Sequence, residues 1–120
     1  MKSFLAVGIG GFFGAICRYN LGLALQNTGG FPIATLCMNL LGCFCLAWLF
    51  TMFTKRTPII LGIGTGFFGA FTTFSTFSLE TLLLLQDSKW LLAILYILMS
   101  VFGGLACAWL GFRLAKGRSV

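Results

Sequence analysis

Histidine is missing altogether from these 120 residues, and acidic side chains are reduced to two, Glu80 and Asp87. Without histidine there is no imidazole base and no ring nitrogen to complete a zinc site. With so few carboxylates there is no acid–base pair, so the composition argues against an enzyme. Charge of either sign is scarce: 8% of residues, where a soluble chain uses about a quarter. A soluble globular domain is excluded on that ground. The chain also lacks a phosphate-cradling ATP motif and a membrane-embedded proton relay. Proline occurs twice, at Pro32 and Pro58, and both positions fall at breaks between long apolar runs.

What is present is apolar: 59% of the residues are hydrophobic, arranged in uncharged runs long enough to cross a bilayer. Four spans follow, at residues 4–25, 31–53, 59–85 and 90–112, and residues 1–120 read as a single all-α membrane domain. The first run is a poor secretory signal, because it carries through Arg18 with no small-residue cleavage site in a polar stretch. Asn27-Thr28-Gly29-Gly30 with Pro32, then Lys55-Arg56 with Pro58, then Asp87-Ser88-Lys89, mark the turns. Short turns favour an up-and-down helical arrangement. The formal charge of +6 gathers at segment ends, with Lys2, Lys55, Arg56, Arg113, Lys116 and Arg118 on one side and Arg18 and Lys89 toward the other. That pattern orients helices and puts both termini in the cytoplasm; it is not a nucleic-acid footprint. Five cysteines, all inside apolar segments, read as small buried hydrophobes.

Three spans carry a small or polar face at helical spacing. In the first, Gly11, Gly14, Ala15 and Arg18 share one face, where Arg18 either anchors the helix at an interface or faces an aqueous vestibule. In the second, Thr35, Asn39 and Gly42 align, and Asn39 either bonds a neighbouring helix or turns its NH₂ to an anion. In the fourth, Tyr96, Ser100 and Gly103 or Gly104 offer hydroxyls on a face that also suits close helix packing.

The third span carries the sharpest signal. From Gly69 to Ser78 there is no Leu, Ile, Val or Met, and Thr72, Thr73, Ser75 and Thr76 alternate with phenylalanine. Hydroxyls at hydrocarbon depth must be buried in protein or line a cavity, and they compete for backbone hydrogen bonds. A helix break within residues 69–76, at mid-membrane, is expected. Unwound carbonyls are cation ligands, while phenyl edges and hydroxyls can face an anion. Phe74 and Phe77 are the rings that face such a pathway if they do not simply pack the core.

Three stretches together resemble the Fluc or CrcB fluoride channels: Gly-Gly-x-x-Gly-Ala-x-x-Arg-Tyr from Gly10 to Tyr19; Thr35-x-x-x-Asn39-x-x-Gly42; and Gly66-x-x-Gly69-x-x-Thr72-Thr73-Phe74-Ser75-Thr76-Phe77-Ser78-x-Glu80. The resemblance implies an antiparallel, dual-topology dimer of four-helix subunits in the plasma membrane, with two fluoride pathways at the subunit interface. It also implies that Phe74 and Phe77 present ring edges to fluoride while Asn39, Ser75, Thr76, Tyr96 and Ser100 supply polar contacts. By the same resemblance Arg18 belongs to the vestibule and Glu80 to a pore end. The backbone carbonyls of Gly69 and Thr72 from both subunits would hold a structural sodium ion. The six-to-two cation bias leaves a paired, oppositely oriented homologue open beside the homodimer. From another class, a small proton-coupled multidrug exporter shares the length and span number, but it needs a buried carboxylate and the first span has none.

Overall fold

The computed structural model describes residues 1–25 and 30–118. The turn expected at Asn27, Thr28 and Gly29 lies outside the described residues. Helix α1 runs Lys2–Ala24 and α2 runs Ile33–Met52, beginning directly after Pro32. The third span starts at Pro58 as α3 (Pro58–Leu61), widens into a π-helical stretch (Gly62–Phe68), and closes as one short turn, α4 (Gly69–Phe71). It resumes as α5 (Phe74–Gln86), and α6 (Trp90–Lys116) completes the bundle. The fold is all-helical, with four helical stretches long and apolar enough to cross a membrane.

Local chemistry sets these ends. Thr57 caps α3, its hydroxyl accepting from the Ile60 N–H, while Pro58 fills the first helical position where no N–H is needed. Ser88 turns the chain between α5 and α6 with a φ of 59°. The last helix extends a turn past residue 112 because Arg113 and Lys116 in its final turn complement the exposed carbonyls there.

The helices pack in two pairs, α1 along the π-helical stretch and α2 along α6. Glycine makes both possible. A Cβ on Gly10 would collide with the carbonyl of Gly62, and one on Gly14 with the carbonyl of Phe67. On the facing side, a Cβ on Gly66 would lie 2.5 Å from the carbonyl of Val7. Between α2 and α6, a Cβ on Gly111 would collide with the carbonyl of Phe44, and one on Gly104 would lie 3.4 Å from the Cys43 sulfur. Lipid gives helices no hydrophobic reason to associate, so backbone approach and dispersion contacts hold them. The small face around Gly11 and Gly14, and the Gly103–Gly104 pair, are therefore packing surfaces. A buried cluster packs α5 onto the α2–α6 pair, built from Leu36, Leu84, Ala93 and Tyr96 and flanked by Phe31, Leu40 and Phe77.

Gly14→Val should separate α1 from the π-helical stretch and cost about 2 kcal/mol or more. Gly8→Ala, at a helical position with open space around it, should be neutral or stabilising by up to ~1 kcal/mol. Thermal unfolding of the two variants in detergent, followed by circular dichroism, checks the contrast.

Candidate functional site

The third span is unwound at two residues, Thr72 and Thr73, whose ψ angles of 156° and 121° are extended. This narrows the expected break: Gly69 stays helical, and the helix has resumed by Phe74. Side chains produce the break. The Thr72 hydroxyl donates back to the Phe68 carbonyl at 2.8 Å. The Thr73 hydroxyl accepts the Thr76 N–H at 3.2 Å, capping α5. It also donates to the Thr76 hydroxyl at 3.0 Å and lies 3.3 Å from the Ser75 hydroxyl.

The Thr73 peptide groups that leave the helix are taken up by Asn39 of α2. Asn39 Oδ1 accepts the Thr73 N–H at 2.8 Å, and Asn39 Nδ2 donates to the Thr73 carbonyl at 3.0 Å. The amide thus replaces both hydrogen bonds that a neighbouring residue would have made in a helix or strand. The same face of α2 meets the third span at two further points. Gly42 receives the Thr72 methyl, and the Thr35 hydroxyl donates to Glu80 Oε1 at 2.8 Å. The helical stripe Thr35, Asn39, Gly42 is therefore the seat of the broken helix. Because the Thr73 N–H goes to Asn39, it does not serve the Gly69 carbonyl as the i+4 helical donor.

Two cavities flank the break, and Thr73 lines both. The larger, about 650 Å³, includes Arg18, Thr35, Thr76, Glu80, Asp87 and Lys89 on its walls. Arg18 and Lys89 bring positive charge to its wall and Glu80 and Asp87 negative charge. Glu80 also points inward: its second oxygen accepts from the fully buried Tyr96 hydroxyl at 2.7 Å. Two hydroxyl donors at these distances compensate a carboxylate within the bundle.

The second cavity, about 340 Å³, is lined by Asn39, Cys43, Thr72, Phe74, Phe77 and Ser100 among others. Phe74 and Phe77 approach with centroids 5.9 Å apart, and Phe77 leans on Tyr96 at 5.1 Å. Phe74 is 80% exposed, so its ring is not core packing. The Ser100 hydroxyl is buried and has no hydrogen-bond partner among the described residues, which is costly unless a further group completes it. The structure thus brings Asn39, Phe74, Phe77 and Ser100 together around the second cavity, and Arg18, Thr76 and Glu80 around the first. Ser75 is exposed, and Tyr96 is sealed in the core, its ring against Phe31 and Phe77 and its hydroxyl on Glu80.

Two participants stood in the sequence reading only as members of a polar face or run, with no partner assigned. Thr73 anchors everything at the break, and its position three residues before Thr76 carried a capping signal. Thr35 pairs with Glu80 across 45 residues of chain, a contact with no local signature.

Asn39→Leu should leave the Thr73 N–H and carbonyl unpaired inside the bundle, at a cost of roughly 2–4 kcal/mol. Glu80→Gln, which can still accept from one hydroxyl, should cost less. Denaturant unfolding of the two variants in detergent ranks them.

Comparison with known proteins places these features in a family. The model described as CrcB-like protein, Camphor Resistance (CrcB), matches residues 5–112. A Bacillus cereus protein named fluoride-specific ion channel FluC 1 is 50% identical over 117 residues, covering 92% of this chain and 85% of that protein. An Oceanobacillus iheyensis protein named fluoride-specific ion channel FluC is 46% identical over 119 residues, covering 96% and 92%. A Listeria monocytogenes protein named fluoride-specific ion channel FluC 2 is 48% identical over 117 residues, covering 94% and 90%. With a broken third helix seated on Asn39 and a family match across nearly its whole length, this multi-pass membrane protein belongs to the CrcB family.

Proposed function

We propose that the chain is a subunit of a passive, fluoride-selective channel of the plasma membrane that lets cytoplasmic fluoride leave the cell. The names of its relatives support the reading. The observation that carries it is the second cavity, where exposed Phe74 and half-buried Phe77 meet the Asn39 amide and the orphaned Ser100 hydroxyl. Fluoride is small and strongly hydrated, so a conducting site must replace its water with several donors yet hold it weakly enough for exit. Phenyl edges carry partial positive charge. An amide N–H and a hydroxyl add directed donors, and no lysine or arginine lines this cavity to trap the ion.

In the proposed route Arg18 offers an anion a cationic contact in the first cavity, beside the break. From there the polar groups of Thr73 and Thr76 lead toward the rings. Ser75, Tyr96 and Glu80 shape this route, Tyr96 and Glu80 through the bonded pair that fixes the Phe77 support. A cytoplasm negative by ~100 mV favours expulsion of one anion by about 2.3 kcal/mol, so no energy-coupling motif is needed.

The exposed Phe74 ring and the open surface at Gly69, where an added Cβ would meet nothing within 4 Å, call for a second copy. An inverted homodimer brings two breaks together and completes two pathways. The Gly69 carbonyl, lacking its helical donor, and the Thr72 carbonyl on the extended backbone are hard oxygen donors that suit a sodium ion. Such an ion supplies fixed positive charge that ties the two breaks to each other.

Reconstituted alone in fluoride-loaded liposomes, the chain should release fluoride to an electrode rapidly and chloride far more slowly. Phe74→Ile should slow fluoride release roughly tenfold or more, equivalent to ~1.4 kcal/mol on the barrier. Absence of flux from folded protein, restored by an oppositely oriented homologue, would replace the homodimer with a heterodimer. Absence in both preparations overturns the channel.

A further inference from the structure

A third cavity, about 570 Å³, lies away from the break and is lined almost wholly by apolar atoms. Ala6, Ile9 and Phe13 of α1 form one wall, and Ile59, Ile63 and Phe67 of the third span form the other. The two walls run parallel, Gly62 against Ala6 and Phe67 against Gly14, so α1 and α3 begin at the same end of the groove. Lys2 stands one helical turn before Ala6, and Lys55 and Arg56 precede Ile59 by three or four residues. All three are exposed. Arg56 rests its guanidinium over the Phe50 ring at 4.0 Å, whereas Lys2 and Lys55 make no ion pair among the described residues. Lys89 and Asp87 form an ion pair just after α5, at the opposite end of the bundle. Neither of the chain's two acidic side chains, Glu80 and Asp87, is near the end where α1 and α3 begin.

We propose that this groove is a site for an anionic phospholipid, with its phosphate between Lys2, Lys55 and Arg56 and one acyl chain lying between α1 and the third span. Charge selects the headgroup: an apolar groove with exposed lysines at its end, unpaired among the described residues and with no acidic side chain beside them, favours an anionic lipid over a zwitterionic one. Depth fits the tail. From Ala6 to Phe13 the wall runs about 10 Å along α1, within the ~15 Å that one leaflet contributes to a ~30 Å hydrocarbon core. The lysine stems can lie along the groove while their ammonium groups reach the phosphate. The site needs only that the helices span a bilayer, so lipid binding and ion flux fail independently of each other.

Native mass spectrometry of the detergent-solubilised protein, titrated with phosphatidylglycerol or phosphatidylcholine of the same chain length, tests the headgroup. Phosphatidylglycerol should be retained preferentially, and Lys2→Gln with Lys55→Gln should weaken it by roughly fivefold per lysine while leaving phosphatidylcholine unchanged. Equal retention of both lipids, or no effect of the double substitution, overturns the proposal. A second measurement locates the tail. With Trp48, Trp90 and Trp109 replaced by Phe, Phe13→Trp reports from the groove in bilayers containing phosphatidylglycerol brominated on its acyl chain. Stronger quenching than by brominated phosphatidylcholine at equal mole fraction, lost in the lysine double variant, supports the site. Equal quenching by the two lipids means a general lipid-facing surface, and no quenching by either means that protein covers the groove; both results overturn it.

Discussion

An unpaired peptide group inside a bilayer costs several kcal/mol, and the whole arrangement follows from how this chain meets that cost at Thr73. The third span gives up its helix at mid-bundle, and Asn39 takes both hydrogen-bonding groups of Thr73 at 2.8 and 3.0 Å. That exchange fixes the register of α2 against the broken span. It also dictates why Gly42, one helical turn farther on, has no side chain: the Thr72 methyl occupies the space. On the other side of Asn39, Thr35 reaches Glu80, which in turn receives Tyr96 from α6. One amide therefore aligns three helices around a piece of extended backbone.

The rest of the bundle supplies rigidity for that break without using polar glue. Gly10 and Gly14 of α1 admit the backbone of the π-helical stretch, and Gly111 of α6 admits that of α2. Close backbone approach gives many dispersion contacts in a solvent that offers no hydrophobic drive. Polar side chains are thereby left free to gather at the break. The outcome is a division of labour in which helix pairs hold each other through glycine while hydroxyls, amide and carboxylate surround Thr72 and Thr73.

The two cavities beside Thr73 differ in the chemistry that an anion would meet. The first carries Arg18 and Lys89 with Glu80 and Asp87, whereas the second offers ring edges, an amide and a hydroxyl without a fixed cation. In the proposed channel the second supplies what conduction needs, weak multipoint coordination. Phe74 stands exposed at the wall of the second cavity, where the proposed second copy would complete it.

The all-helical, four-span architecture was legible in the sequence because hydrocarbon permits few solutions: long uncharged runs separated by Pro, Gly and charged turns leave little but helices. The break was legible as well, since a run of Thr, Ser and Phe without Leu, Ile, Val or Met cannot be an ordinary lipid-facing helix. Helical spacing even placed Thr35, Asn39 and Gly42 on one face. Spacing could not say what that face would touch. Which groups Asn39 and Glu80 engage within the bundle depended on partners 34 and 45 residues away. The break fell at Thr72 and Thr73 and left Gly69 helical, because glycine only permits a departure from the helix whereas the Asn39 amide and the Thr73 cap reward one. Periodicity is a property of one helix and is written in the chain; the partner that satisfies a given polar atom belongs to the packed bundle, and only the tertiary structure decides it.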